Sequence, residues 1–386
     1  MIGTWWVDPA QLDDDQKEVV RLGRDGSFLI LGPPGSGKTN LLILRANYLC
    51  RADRPNVEVL VFTRTLKEFL VSGAANYTFP TNRVQTYNAW AMRLLSEYGI
   101  DYSSENNFEA DRKNLLNGLQ QLVYQNNKTG IYDCILLDEV HDYTPEEIDI
   151  FFELGKNVFA VGDPRQQIYR KRDCIRHLQS KVDKAIPLKY HYRNGINICR
   201  LADAIAKDTK HYEAMTNTSN YDETNLPSSV QHLKCKNLEE QCQKVIAAVV
   251  TQLEAYPGEL IGIICPRRED LNHIEAILES SSIASYCTFQ NPEFGYESFD
   301  ASRRVCVCTL HSAKGLEFRA LHILACEMLG HFPKPRNLAF TGVTRAKTSL
   351  SLYYAEDLPG FLESALRSLA PREDLPSISE AFGRSE

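Results

Sequence analysis

Gly32-Pro33-Pro34-Gly35-Ser36-Gly37-Lys38-Thr39, entered from the apolar run Phe28-Leu29-Ile30-Leu31, decides the fold. A strand that runs into a glycine-rich turn and then opens a helical pattern is the context in which a phosphate-binding loop works. The glycines let backbone N–H groups and a helix N-terminus face phosphate oxygens. A lysine at 38 reaches the outer phosphates, and a threonine at 39 places its hydroxyl on Mg²⁺. Gly32, Gly35, Ser36, Gly37, Lys38 and Thr39 are therefore candidate nucleotide-binding residues.

Outward from this loop, strand-like runs alternate with amphipathic stretches. Phe28 to Leu31, Val57 to Thr63, Cys134 to Leu137 and Val158 to Val161 form one series. Ile186 to Lys189, Leu260 to Cys265, Arg304 to Thr309, Leu321 to Ala325 and Leu350 to Tyr354 form another, with a helical pattern over Leu238 to Leu253. Such alternation predicts an α/β chain with parallel sheets in two tandem domains. The boundary is placed near Ala185, giving domains over 1–184 and 185–370. The stretch 211–229 reads as a long loop and 371–386 as a disordered tail. Asp138 and Glu139 end the third apolar run, at the carboxyl edge where α/β sheets hold ligands. Asp138 suits Mg²⁺, and Glu139 suits a general base for the attacking water. The alternative for an acidic pair, capping the next helix, fits Thr144-Pro145-Glu146-Glu147 better.

The chain has 386 residues, 43% hydrophobic and 24% charged, enough for two cored domains. Its longest apolar runs fall far short of the roughly 20 residues of a membrane span, and its start lacks an export pattern, so a cytoplasmic location is expected. Eleven cysteines, odd in number and never spaced Cys-x-x-Cys, predict reduced, buried thiols and no structural zinc. A formal charge of −7 does not favour a nucleic-acid ligand overall. A local groove can still be basic, and the clusters Arg170-Lys171-Arg172 and Arg267, Arg268, Arg303 and Arg304 are candidates for it.

A second layer of motifs gives the loop a narrower meaning, and through them nearly the whole chain resembles the UvrD/Rep branch of superfamily-one helicases. Leu12 to Gln16 looks like that family's Q motif, implying that Gln16 reads an adenine edge. Val161-Gly162-Asp163-Pro164-Arg165-Gln166-Gln167-Ile168-Tyr169 resembles the segment in which Gln166 senses the γ-phosphate and Tyr169 lies toward the strand. Leu188 to Arg193 resembles motif IV, with Tyr192 on adenine and Arg193 on the γ-phosphate. Thr309-Leu310-His311-Ser312-Ala313-Lys314-Gly315-Leu316-Glu317-Phe318 implies strand contacts at Thr309 and His311 and nucleotide contacts at Gly315 and Glu317. Phe340 to Lys347 matches motif VI, with Arg345 as a second arginine on the γ-phosphate. Phe62-Thr63 and Thr86-Tyr87 resemble the strand-binding motifs Ia and Ic, whereas Trp90 reads better as core.

The resemblance implies two RecA-like domains, ATP and Mg²⁺ as cofactors, and ATP-driven stepping along single-stranded DNA, 3′ to 5′. The other reading it allows is a nucleotide- and DNA-sensing regulatory subunit that controls a partner nuclease, as helicase-like components of phage-defence complexes such as Gabija do. The chain also departs from the family. Arg170-Lys171-Arg172 stands where a Gly-Trp-Arg run supplies a stacking tryptophan, Asn88 and His141 stand where histidine and glutamine are usual, and Asn40 where arginine is. The interval from Trp90 to Asp138 leaves room for only a reduced helical insertion, about 92–130, and that from Arg193 to Thr309 for none of the large second one.

Overall fold

The computed structural model describes residues 12–73, 79–105, 107–163, 174–206, 213–291, 293–300 and 302–369. Gln166, Tyr169, the Arg170 to Arg172 cluster and the 371–386 tail lie outside the described residues. Thirteen strands among those described build two sheets. The first holds β1 (Phe28–Leu31), β2 (Val57–Val61), β3 (Val84–Thr86), β4 (Cys134–Leu137), β5 (Val158–Gly162) and β6 (Lys184–Pro187), in the order β3-β2-β4-β5-β1-β6. The second holds β7 (Ser229–Lys234), β8 (Ile261–Cys265), β9 (Cys287–Asn291), β10 (Gly295–Tyr296), β11 (Val305–Thr309), β12 (Phe318–Ile323) and β13 (Ala346–Tyr354), in the order β10-β9-β11-β8-β12-β13-β7.

Every pairing is parallel except the short β9–β10 hairpin. The reason is visible in the inner strands. Val57–Val61, Val158–Gly162, Ile261–Cys265 and Val305–Thr309 are buried at every residue, as strands covered by helices on both faces must be. The α/β reading therefore holds, with three corrections. The strand expected to open the second series pairs with β1, Phe28 opposite Lys184 and Leu31 opposite Pro187, so the first sheet runs through Pro187 rather than stopping before 185. The 211–229 loop, where described, contains a turn of 3₁₀ helix at Met215–Asn217 and ends in an unforeseen strand, β7. β3, β9 and β10 were also unforeseen.

Among the described residues between Glu97 and Asp138, the helix Phe108–Gln120 ends in a π turn at Gln121–Gln125 and packs on the helix Tyr87–Glu97. Among the described residues, those from Arg193 to Thr309 build only strands and helices of the second sheet's layer. Thr144 caps the helix Pro145–Leu154 in a reciprocal capping box with Glu147, as its spacing predicted. No described helix is long and apolar enough to cross a membrane. All eleven cysteines are free thiols, and all but Cys50 are buried.

Candidate nucleotide site and adjoining groove

The glycine-rich loop sits between β1 and the helix Lys38–Arg51. Gly35 and Gly37 turn it in left-handed backbone, with φ of 79° and 81°. Gly35 must also be bare, because a Cβ built there would lie 2.4 Å from the Cβ of Arg193. Gly35→Ala would add about 1–2 kcal/mol of backbone strain to that clash. The variant is expected to lose affinity for a fluorescent ATP analogue; a folded variant that binds as wild type would sink the assignment. The Lys38 ammonium donates to the carbonyls of Gly32 at 2.9 Å and Pro33 at 2.7 Å. Burial pulls its pKa down, while the nearby carboxylates Asp163, Glu139 and Asp138 resist.

At the end of β4, the Thr39 hydroxyl donates to Asp138 Oδ2 at 3.0 Å, and the Glu139 amide donates to Asp138 Oδ1 at 2.9 Å. Glu139 takes left-handed backbone, φ 48° and ψ 48°, a conformation that costs a non-glycine residue about 1–3 kcal/mol and persists where surroundings enforce it. Burial and the Glu139 charge push the Asp138 carboxyl up. Burial would raise Glu139 too, but Lys314, His141, Arg345 and Lys38 overcome it and hold that carboxylate ionised.

The facing wall comes from beyond β6 and from the second sheet. Tyr192 donates its amide to the Gly35 carbonyl at 3.1 Å, and its hydroxyl to Asp13. The Arg193 guanidinium is paired with Glu317 and donates to the Thr344 carbonyl at 3.3 Å, while its buried Nε has no partner among the described residues. Glu317 is shared with Lys347 at 3.7 Å. Arg345 donates Nε to the Thr341 carbonyl at 3.2 Å, and burial with the neighbouring Arg193 lowers its pKa to about 10. Gly315, φ 87°, lies so close to the first layer that a Cβ there would meet Leu66 at 2.4 Å.

Three buried cations, Lys38, Arg193 and Arg345, thus converge with Asp138 and Glu139 where the two layers meet. An orphaned guanidinium N–H and two mutually repelling arginines are what a polyphosphate would satisfy, and the Thr39–Asp138 pair offers hard oxygens suited to Mg²⁺. The residues fit ATP with Mg²⁺. Gln16 lies beside the loop, with its amide donating to the Ser36 carbonyl at 3.0 Å and accepting from Asp13 N at 3.0 Å. One N–H and one lone pair remain for a base edge, while the amide also braces the loop.

A groove of about 590 Å³ opens beside this site, between the layers. Phe62, Thr63, Arg64 and Phe108 line one side, and Tyr296, His311, Lys314, Phe332, Lys334 and Arg268 the other. Arg64 lies over the Tyr296 ring at 4.8 Å, and Lys314 over the Phe62 ring at 5.0 Å. Thr86, Tyr87 and Asn88 line a smaller cavity that shares Phe62 and Phe108 with the groove.

Of the expected strand contacts, Phe62, Thr63 and His311 face the groove. Thr309 does not line it: it is buried, its hydroxyl accepting from Ser312 N to close the turn after β11. Tyr87 is 5% exposed and packs edge-on to Tyr143 and Phe151, so little of its ring is open to a base. Trp90 is core, as expected. Of the second basic cluster only Arg268 reaches the groove. Arg267 pairs with Asp270, Arg303 with Glu297, and Arg304 donates to the carbonyls of Tyr256 and Leu253. Sequence reasoning gave no role to Lys314, Arg64, Tyr296, Phe332 or Lys334, which meet only across the fold.

Residues 304–353, which take in β11, β12 and all but the last residue of β13, match the family model of the UvrD-like helicase C-terminal domain. A solved structure described as the C-terminal domain of a possible DNA helicase from Lactobacillus plantarum WCFS1 is similar at 19% identity over 46% of this chain and 96% of that one. The TM-score of that match is 0.34. No curated protein matches.

Proposed function

From the premise that the chain carries a UvrD-like helicase C-terminal segment, we propose that it is an ATP-dependent motor on single-stranded nucleic acid, built from two RecA-like domains. The observation that supports this most is the arrangement of Arg193 and Arg345 opposite Lys38, across the junction of the layers that also frames the aromatic and basic groove. When bound, ATP with Mg²⁺ supplies the triphosphate whose outer bond is hydrolysed. Lys38, Arg193 and Arg345 hold its charge, Thr39 and Asp138 hold the cation, and Glu139 accepts the proton of the attacking water. Gln16 and Tyr192 stand on the side suited to adenine. Charge-assisted bonds from both layers draw them together, and losing those bonds after hydrolysis releases them; repeated along a strand, this gives stepping.

Phe62, Phe108, Tyr296 and Phe332 interleaved with Arg64, Arg268, Lys314 and Lys334 suit a strand whose bases stack and whose phosphates are neutralised. DNA is the proposed track and 3′ to 5′ the proposed direction. With a reduced first insertion and no separate second one, the chain is proposed to separate duplex poorly alone; efficient unwinding of a tailed duplex by purified monomer would sink that part.

The test is steady-state ATP hydrolysis with single-stranded DNA, with RNA and with neither. Turnover is expected to rise with DNA, and the gain to shrink as salt is raised. Nucleotide binding without stimulation by either polymer would overturn the motor reading and favour a nucleotide-switched subunit acting on a nuclease partner.

A further inference from the structure

His141 lies between the candidate general base and the groove, and its chemistry there is constrained. The backbone N–H of Asp163 points at Nδ1 from 3.5 Å, so that nitrogen is an acceptor and the proton of the neutral ring sits on Nε2. Two groups lie near Nε2: the Glu139 carboxylate at 3.5 Å and the Lys314 ammonium at 3.4 Å. An ammonium cannot accept, so among the described residues the ring N–H has only Glu139 to serve, and the adjacent cation opposes a closer approach. Lys314 is also paired with Asp142, sits over the Phe62 ring and lines the groove, while its own carbonyl accepts from the Thr63 hydroxyl at 3.2 Å.

We propose that His141 is the positioning residue that carries occupancy of the groove to Glu139. A strand phosphate draws the Lys314 ammonium away from the Asp142–His141 pair, and the imidazole N–H then closes on the Glu139 carboxylate and fixes its orientation toward the attacking water. This inference rests on the reading of the groove as a strand site and of Glu139 as the base.

The experiment is ATP hydrolysis by the full chain, wild type against His141→Ala and His141→Gln, over a range of ATP concentrations with and without saturating single-stranded oligonucleotide. The strand-saturated kcat of His141→Ala is expected to fall about ten- to a hundredfold, the scale of a misplaced reacting group, with KM for ATP and Kd for the oligonucleotide within about twofold of wild type. His141→Gln is expected to restore most of it, since the amide can accept from Asp163 N and donate to Glu139. Full strand-saturated kcat in His141→Ala would overturn the proposal. So would equal losses in both variants together with weakened ATP binding, which would mark a purely structural residue. A wild-type chain whose hydrolysis ignores the oligonucleotide would overturn the motor reading itself, and that result is read without either variant.

Discussion

Glu139→Gln is expected to lower ATP turnover by about 10²- to 10⁴-fold, the range a positioned general base supplies, while ATP still binds. The amide matches the carboxylate in shape but cannot take a proton. The Glu139 charge is one of the two causes that push the neighbouring Asp138 up, so removing it eases ionisation of Asp138 and favours a divalent cation. Nucleotide with Mg²⁺ should therefore bind at least as tightly as in wild type, and the chain should accumulate in its nucleotide-bound form. Rapid-quench turnover and equilibrium binding of a fluorescent ATP analogue check both halves. Turnover near wild type would remove Glu139 as the base, and weakened binding would contradict the account of its effect on Asp138.

Arg345→Ala is expected to cut turnover by about 10³-fold, within the range for an arginine that stabilises transferring phosphoryl charge. Arg345 is 3% exposed and is held by the Thr341 carbonyl, yet it faces Arg193, a like charge that each would be better without. Such an arrangement makes sense where an anion comes between them. The substitution removes a buried charge and its repulsion from Arg193 along with its attraction to Glu139, Glu317 and Asp138, so thermal stability without nucleotide should change little, while most of the stabilisation that ATP adds is lost. Melting with and without ATP measures this. A variant that loses stability without nucleotide and keeps its turnover would show a structural arginine.

The parts of the site carried by short consecutive runs were legible in the sequence. The glycine-rich loop holds its glycines, lysine and threonine within eight positions, and the Asp138-Glu139 pair needs only an apolar strand before it. The sheets were legible where burial on both faces enforces an unbroken apolar run, as in β4, β5 and β8. β3 has three residues, and β7, Ser229–Lys234, carries exposed polar residues along the sheet edge, so neither has a signal that a loop lacks. The register of β6 with β1 is a long-range choice that no local pattern states. The same holds for the chemistry: His141 and Lys314 are 173 residues apart and meet only because the two layers face each other. Thr309 is the reverse case, where a motif position implied a strand contact and the structure places the hydroxyl, buried, in the turn with Ser312.

Every strand of the first sheet, β6 included, precedes every strand of the second along the chain. A nascent polypeptide can therefore close the first layer, with Lys38, Thr39, Asp138 and Glu139 in place, while the residues that supply Arg345 are still being synthesised. If Lys38, Arg193 and Arg345 act on one nucleotide as proposed, a partly made chain would carry the binding half of the site before the arginine of the second layer, and turnover would wait for that layer to be made.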